Sequence, residues 1–364
     1  MLKYILVVLL LIHAVAHLPG FFKALNPASV TQLTRSVSSP AGIMWLFAAL
    51  IFIASLVLLL TGRGEWYYAL AAGVIISQVM IIFFWQDARY GTILNVIFLC
   101  TAVLAFGMHR FENGFMSDVN KENERASRVK EEILTENDLL HLPAVVQKYI
   151  RMSGATGKPK LKSMKVVFKG QMREKGKDYF DFESVQYNFF DQPSRLFFMK
   201  AQMFGLTVPG YHRFMNNNAS MDIRLFGMIP VVYQSGNAMN RTETVTLFND
   251  MCLLAPASLI SKNITWEETD SLAVKAFFTM GENTISAVLY FNDKGELISF
   301  RSEDRTDVNK NRQYPFSTPV HGYMEYAGRK VISSGDAVWH YEDGEFTYGK
   351  FNLKEIVYNP AKVH

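Results

Sequence analysis

The 364-residue chain has two cysteines, Cys100 and Cys252. That number excludes a disulfide framework and a multi-cysteine zinc or iron–sulfur centre. No Gly-x-Ser-x-Gly, P-loop, dinucleotide-binding glycine pattern or His-Glu-x-x-His is present. The familiar hydrolase, nucleotide-binding and zincin routes to an enzyme are therefore closed, and no catalytic residue is assigned. Charge is scarce at the start, where residues 1–110 hold six Lys/Arg. The net charge of +4 gives no reason to expect a nucleic-acid partner.

Long apolar runs are what the first third does contain. They cover about 4–22, 41–61, 66–85 and 92–109, each near the roughly 20 residues that cross a bilayer core as a helix. Lys3 and the small residues Ala14-Val15-Ala16 resemble a cleavable secretory signal. Apolar character resumes at Leu18, however, which favours a first spanning helix, with Pro19-Gly20 ending or kinking it. Trp45, Trp66 and Trp85 fall near span ends, where interfacial aromatics belong. Short turns at Gly62-Arg63-Gly64 and 86–91 imply antiparallel neighbours, so residues 1–110 read as an all-α four-helix membrane unit.

Orientation follows from loop charge. An inside N-terminus puts Lys3, Arg63, Arg110, Lys121, Arg125 and Arg128 in the cytoplasm, against Lys23, Arg35 and Arg89 outside. This predicts a multi-pass membrane protein with its C-terminal domain cytoplasmic. Residues 111–134 mix both charges and read as a polar linker, with a short solvated helix leaving the membrane.

From about 161 the apolar period changes from 3.6 to 2. Strand-like runs cover about 165–173, 179–190, 194–204, 211–217, 219–226, 273–280, 284–292, 296–305, 320–327, 329–340 and 345–357. Residues 239–262 read as helix, divided by Pro256. Residues 135–364 are thus expected to form an α+β domain with a curved antiparallel sheet covered by helices. Such a concave sheet can enclose an apolar ligand.

Three stretches carry a resemblance. They are Ile12-His13 with Leu18 through Ala24; Ser77-Gln78 with Trp85 through Thr92 and Asn95; and Phe248-Asn249-Asp250-Met251-Cys252 with Ala255-Pro256, Ile264-Thr265-Trp266 and Asp304-Arg305. Together they resemble a family of bacterial multi-pass membrane proteins known only as a domain of unknown function. The soluble part is also similar, in strand and helix order, to the half-barrel of the lipoprotein carriers (LolA-like). Those carriers hold acyl chains outside the inner membrane. That resemblance implies a periplasmic domain, whereas the loop charges place it inside.

Candidate site residues form three groups. Phe198, Asn249, Asp250, Met251 and Trp266 are candidates to line a pocket for a lipid or other apolar molecule. His13 and His17, four apart on one helix face, join Gln78, Asp87, Arg89 and Asn95 as polar groups in or beside the spans, where ionisable side chains are functional suspects. Asp87 and Arg89 are placed to pair with each other. Lys165, Lys169 and Arg173 form one face of a strand and could meet anionic headgroups. No cofactor or metal is assigned. The leading expectation is a membrane-anchored binding module. The alternatives are a tethered protein-interaction or sensory protein, and a membrane oxidoreductase using the two histidines.

Overall fold

The computed structural model describes residues 2–361; Met1 and residues 362–364 of the expected domains lie outside them. The chain divides into two compact units that meet at Phe111 and Glu112.

The first unit is helical: α1 (Leu2–Leu25), α2 (Ser39–Leu60), α3 (Trp66–Phe83), the single turn α4 (Trp85–Ala88) and the start of α5 (Gly91–Ser127). All but α4 are long and apolar enough to cross a membrane. Of the two outcomes expected at Pro19-Gly20, the helix end is not found: α1 continues through Pro19 to Leu25. Glycines set its packing against α2. A Cβ on Gly20 would lie 2.4 Å from the Trp45 ring, and one on Gly42 2.3 Å from the Ala24 Cβ. Only the missing side chain lets the two backbones approach this closely.

The second unit takes in the end of α5. That helix does not stop at the polar residues after 109 but runs on to Ser127. Phe115, Val119 and Ala126 are buried along it, a helical stripe hidden among the charges that the linker reading used. Next come α6 (Ala144–Met152), β1 (Ser163–Met172), β2 (Phe180–Phe189), β3 (Ser194–Met203), β4 (Leu206–Met215), β5 (Asn218–Leu225) and β6 (Ile229–Ser235). Helix α7 (Asn237–Leu254) and a 3-10 turn over Pro256–Ile260 separate these from the rest; Pro256 divides this helical segment as its sequence predicts. The remaining strands are β7 (Ile264–Asp270), β8 (Ala273–Met280), β9 (Asn283–Phe291), β10 (Leu297–Ser302), β11 (Thr306–Asp307), β12 (Arg312–Gln313), β13 (Phe316–Tyr326), β14 (Arg329–Tyr341) and β15 (Gly344–Tyr358).

Thirteen strands form one curved antiparallel sheet in the order β6-β5-β4-β3-β2-β1-β15-β14-β13-β10-β9-β8-β7. The first and last strands are neighbours, with Met164 opposite Tyr358. Two strand meanders are thereby joined side by side, and α7 links them in sequence. Phe248 of α7 stacks on Phe278 of β8 at 5.2 Å between ring centroids, which anchors the helix on the sheet. Both edge strands, β6 and β7, are absent from the sequence reading. Pro230 interrupts β6 and acidic residues fill β7, so neither shows clean apolar alternation.

Candidate functional site

In β1, Phe168 and Met172 point to the same face of the sheet, as the period of 2 requires. On β3 the residues sharing that face are Arg195, Phe197 and Met199. With Asn249, Asp250 and Leu253 of α7, and Phe316, Ile332 and Ala337 from the other meander, they line a partly open cavity of about 130 Å³. A dry apolar cavity near that size holds a benzene-sized group. A larger cleft of about 750 Å³ beside Asn216, Asn217 and Asn263 is polar, and the carboxylates in it, Glu122 and Asp191, are paired with Arg125.

One wall of the smaller cavity is a charged network. Arg195 donates from Nε to Asp250 Oδ2 at 2.7 Å, from Nη1 to Glu243 Oε2 at 3.1 Å and from Nη2 to Gln186 Oε1 at 3.1 Å. Gln186 and Asn188 donate to the same Asp250 oxygen at 2.7 and 3.1 Å. His212 Nδ1 lies 3.2 Å from Glu243 Oε1. Glu243 and Asp250 stand seven residues apart, two turns on one face of α7, and a single guanidinium bridges them.

Their surroundings push the two carboxyls in opposite directions. Burial raises Glu243, but Arg195 and the His212 hydrogen bond outweigh it and bring it down to about 2. Burial also raises Asp250, and neighbouring Glu243 adds to that. Arg195 and Asn188 pull the other way without overcoming it, so Asp250 stands above the usual carboxylate value. At neutral pH this wall holds a fixed negative charge at Glu243 beside a fixed positive one at Arg195.

Two polar atoms at the cavity have no partner among the described residues. Asn249 donates from Nδ2 to Thr318 Oγ1 at 2.9 Å, which turns Oδ1 away, buried and unbonded. Arg305 donates from Nη1 to the Tyr348 hydroxyl at 2.8 Å and lies over the Phe316 ring at 4.0 Å; its Nε is buried and unbonded. Both residues line the cavity. A buried orphan acceptor and a buried orphan donor each cost stability, and a bound group that donates to one and accepts from the other would relieve both.

Of the five residues expected at a pocket, Asn249 and Asp250 line it. Phe198 points to the opposite face, one residue out of phase with Phe197 and Met199. There it stacks on Phe115 of α5 at 5.3 Å. Met251 is in the solid core, a third of a turn past Asp250, and Trp266 lies on edge strand β7. Arg195, Glu243, Gln186, Asn188 and His212 escaped the sequence reading. The signals were the i, i+7 carboxylates of α7 and the alternating Ser184, Gln186 and Asn188, polar residues on one buried face of β2.

The basic stripe is engaged within the domain. Lys165 pairs with Glu355 at 3.0 Å and Lys169 pairs with Glu183. Arg173 donates to Thr347 O at 3.1 Å and stacks on Tyr179 at 4.5 Å.

Inside the helical unit the polar residues form a second network. His17 Nδ1 donates to the His13 carbonyl at 2.7 Å, and its Nε2 lies 2.9 Å from the Ser77 hydroxyl. His13 Nε2 donates to Asn95 Oδ1 at 3.0 Å. Asn95 Nδ2 donates to Ser77 Oγ and Gln78 Oε1, both at 3.0 Å, and Gln78 continues to Thr92 Oγ1 at 3.2 Å. Two histidines thus tie α1, α3 and α5 together, and Ser77 is the hub.

Asp87 and Arg89 do not pair with each other. Asp87 accepts from the Thr34 amide at 2.9 Å and the Thr34 hydroxyl at 2.8 Å. Burial nudges its carboxyl up, but these hydrogen bonds and Lys23 bring it below the usual value. Arg89 reaches the Tyr90 hydroxyl at 3.2 Å.

Residues 132–351 match the sequence profile of a family described as a family of unknown function (DUF6544). No curated protein matches the chain. Among solved structures, a LolA superfamily protein from Nitrosomonas europaea is similar at 7% identity and a TM-score of 0.36, over 58% of this chain and 91% of that one. A beta-barrel-like protein of another domain of unknown function, DUF1849, from Brucella abortus gives 9% identity and a TM-score of 0.17, over 55% and 98%. At those values neither likeness bears on what this chain binds.

Proposed function

We propose that this chain, which belongs to the family just described, is a membrane-anchored binding protein for a small amphipathic molecule. The four apolar helices hold it in a bacterial inner membrane, and the loop charges favour a cytoplasmic sheet domain. The ligand is a lipid fragment or another molecule with an apolar body. Its polar head carries both a hydrogen-bond donor and an acceptor, and it sits in the cavity between β3, α7 and β14. One observation carries this reading: Asn249 Oδ1 and Arg305 Nε, both buried and unpartnered, stand at one apolar cavity. The volume of about 130 Å³ supports a compact molecule or the end of one acyl chain, not a whole diacyl lipid.

The test is native mass spectrometry of the full chain purified in detergent, followed by organic extraction of whatever co-purifies. A small amphipathic molecule should be released from the wild-type protein. It should be absent from Ala337→Phe, which fills the cavity. A molecule retained at the same level by both would place binding elsewhere. An empty wild-type protein that takes up nothing from membrane extract would end the binding reading.

A further inference from the structure

Two neighbouring hairpins end in the same dipeptide, and each places a phenylalanine in the left-handed backbone region. Strands β3 and β4 turn at Phe204-Gly205, with φ of +51° and +75°; β5 and β6 turn at Phe226-Gly227, with φ of +55° and +68°. Asn, Asp or Gly ordinarily opens such a turn, because other side chains crowd the backbone there. Met203 pairs with Leu206, and Gly210 pairs with Ile223. Extending that register sets the two turns side by side at one end of the sheet.

This end is bare and apolar. Phe204 is 98% exposed, Leu206 and Ile229 are exposed at the bases of the two turns, and Val231 and Tyr233 are exposed farther along β6. No charged residue occurs from Ala201 to Tyr211 or from Leu225 to Asn240. Phe226 is half-buried at its turn, whereas for Phe204 the domain's own packing gives no reason for an aromatic ring at a projecting, conformationally disfavoured position.

The same end faces the point where the chain enters the domain. Glu112 pairs with Lys200 at 2.8 Å, whereas Glu122, farther along α5, accepts from Ser194 at 3.0 Å. Strand β3 therefore runs antiparallel to this part of the helix, and its turn at 204–205 lies toward residue 112. The chain reaches residue 112 directly from the apolar run that ends near 109.

We propose that the two Phe-Gly tips dock the sheet domain on the surface of the bilayer that holds the four helices, with Phe204 and Phe226 inserted at the interface. Aromatic rings favour the headgroup level of a membrane, and projecting tips suit a penetrable surface better than they suit a rigid protein face. Because these segments carry no charge, the docking does not depend on anionic lipid or on salt. It owes nothing to the paired basic stripe of β1.

The test places a spin label on the full chain in nanodiscs that hold one copy each. Cys100→Ser removes the exposed thiol, while Cys252 is buried. Phe204→Cys and Phe226→Cys are labelled in separate samples, and Asn217→Cys marks the turn at the opposite end of the sheet. Collision rates with oxygen and with a water-soluble nickel chelate are compared in pure phosphatidylcholine and in a 3:1 mixture with phosphatidylglycerol. Labels at 204 and 226 should be several-fold less accessible to nickel than the label at 217, equally in both lipids and at low and high salt. Nickel access at 204 and 226 equal to that at 217 would overturn the proposal. So would protection seen only with phosphatidylglycerol at low salt, since that would be charge-driven contact.

Discussion

Arg195 and Asp250 meet at 2.7 Å between Nε and Oδ2, with both side chains buried in one wall of a cavity. The guanidinium also holds Glu243, so removing it strands two carboxylates. Arg195→Met should lower unfolding stability by ~3–5 kcal/mol, the range for breaking a buried pair. Asp250→Asn, which keeps an acceptor for Gln186 and Asn188, should cost less. Denaturant unfolding of the full chain in detergent measures both, and an unchanged midpoint for Arg195→Met would mean that the network is not compensated as drawn.

The depressed Glu243 carboxyl makes part of the stability acid-labile. Its folded value of about 2 lies below the ordinary 4.5. Its stabilisation is therefore full above pH ~4.5 and lost as the pH falls through 2. The size is on the order of 3 kcal/mol. Asp250 moves the other way: its raised value favours the folded state at acid pH and weakens it as the pH rises. Glu243→Gln should therefore flatten the fall of the unfolding midpoint between pH 4.5 and 2. A wild-type slope retained in the variant would assign it to other groups.

The histidine network predicts coupling within the helical unit. Ser77→Ala and Asn95→Ala each remove bonds shared with His13 and with one another. Each should cost about 0.6–1.7 kcal/mol, as interhelical hydrogen bonds do in membranes. The double variant should cost less than the sum. Thermal unfolding in detergent gives the cycle, and strict additivity would break the network into independent bonds.

Phe204→Asn should raise, not lower, stability in detergent. Asparagine tolerates the left-handed region, where other side chains pay about 1–2 kcal/mol, and Phe204 gives up no packing because it is 98% exposed. A higher melting temperature is the expected outcome. A lower one would show that the ring makes contacts within the domain.

The four apolar runs and most of the sheet were legible because they follow simple periods: unbroken hydrophobicity for the spans and strict alternation for strands such as β1. The packing of the helix beyond residue 110, expected to be solvated, was not. Phe115, Val119 and Ala126 make a sparse stripe among charges, and only the sheet beneath them gives it meaning. The site was half legible. Asn249 and Asp250 stood out as polar residues on an apolar helix. Arg195 looked like any strand arginine, and its burial depends on carboxylates 48 and 55 residues away. Phe198 was misplaced by one residue of phase, which on a strand is the difference between two faces.

The pairing of β1 with β15 has a consequence for biosynthesis. A ribosome makes the β1 partner for residues 164–172 only when it reaches 349–358. Until then the six-strand meander is a finished sheet with one naked inner margin, and β1 offers its hydrogen-bonding groups to any extended chain nearby. The domain cannot close co-translationally strand by strand. Pairing along the free edge of β1 waits for residues 349–358, so a chain that stalls after β14 would leave an adhesive template.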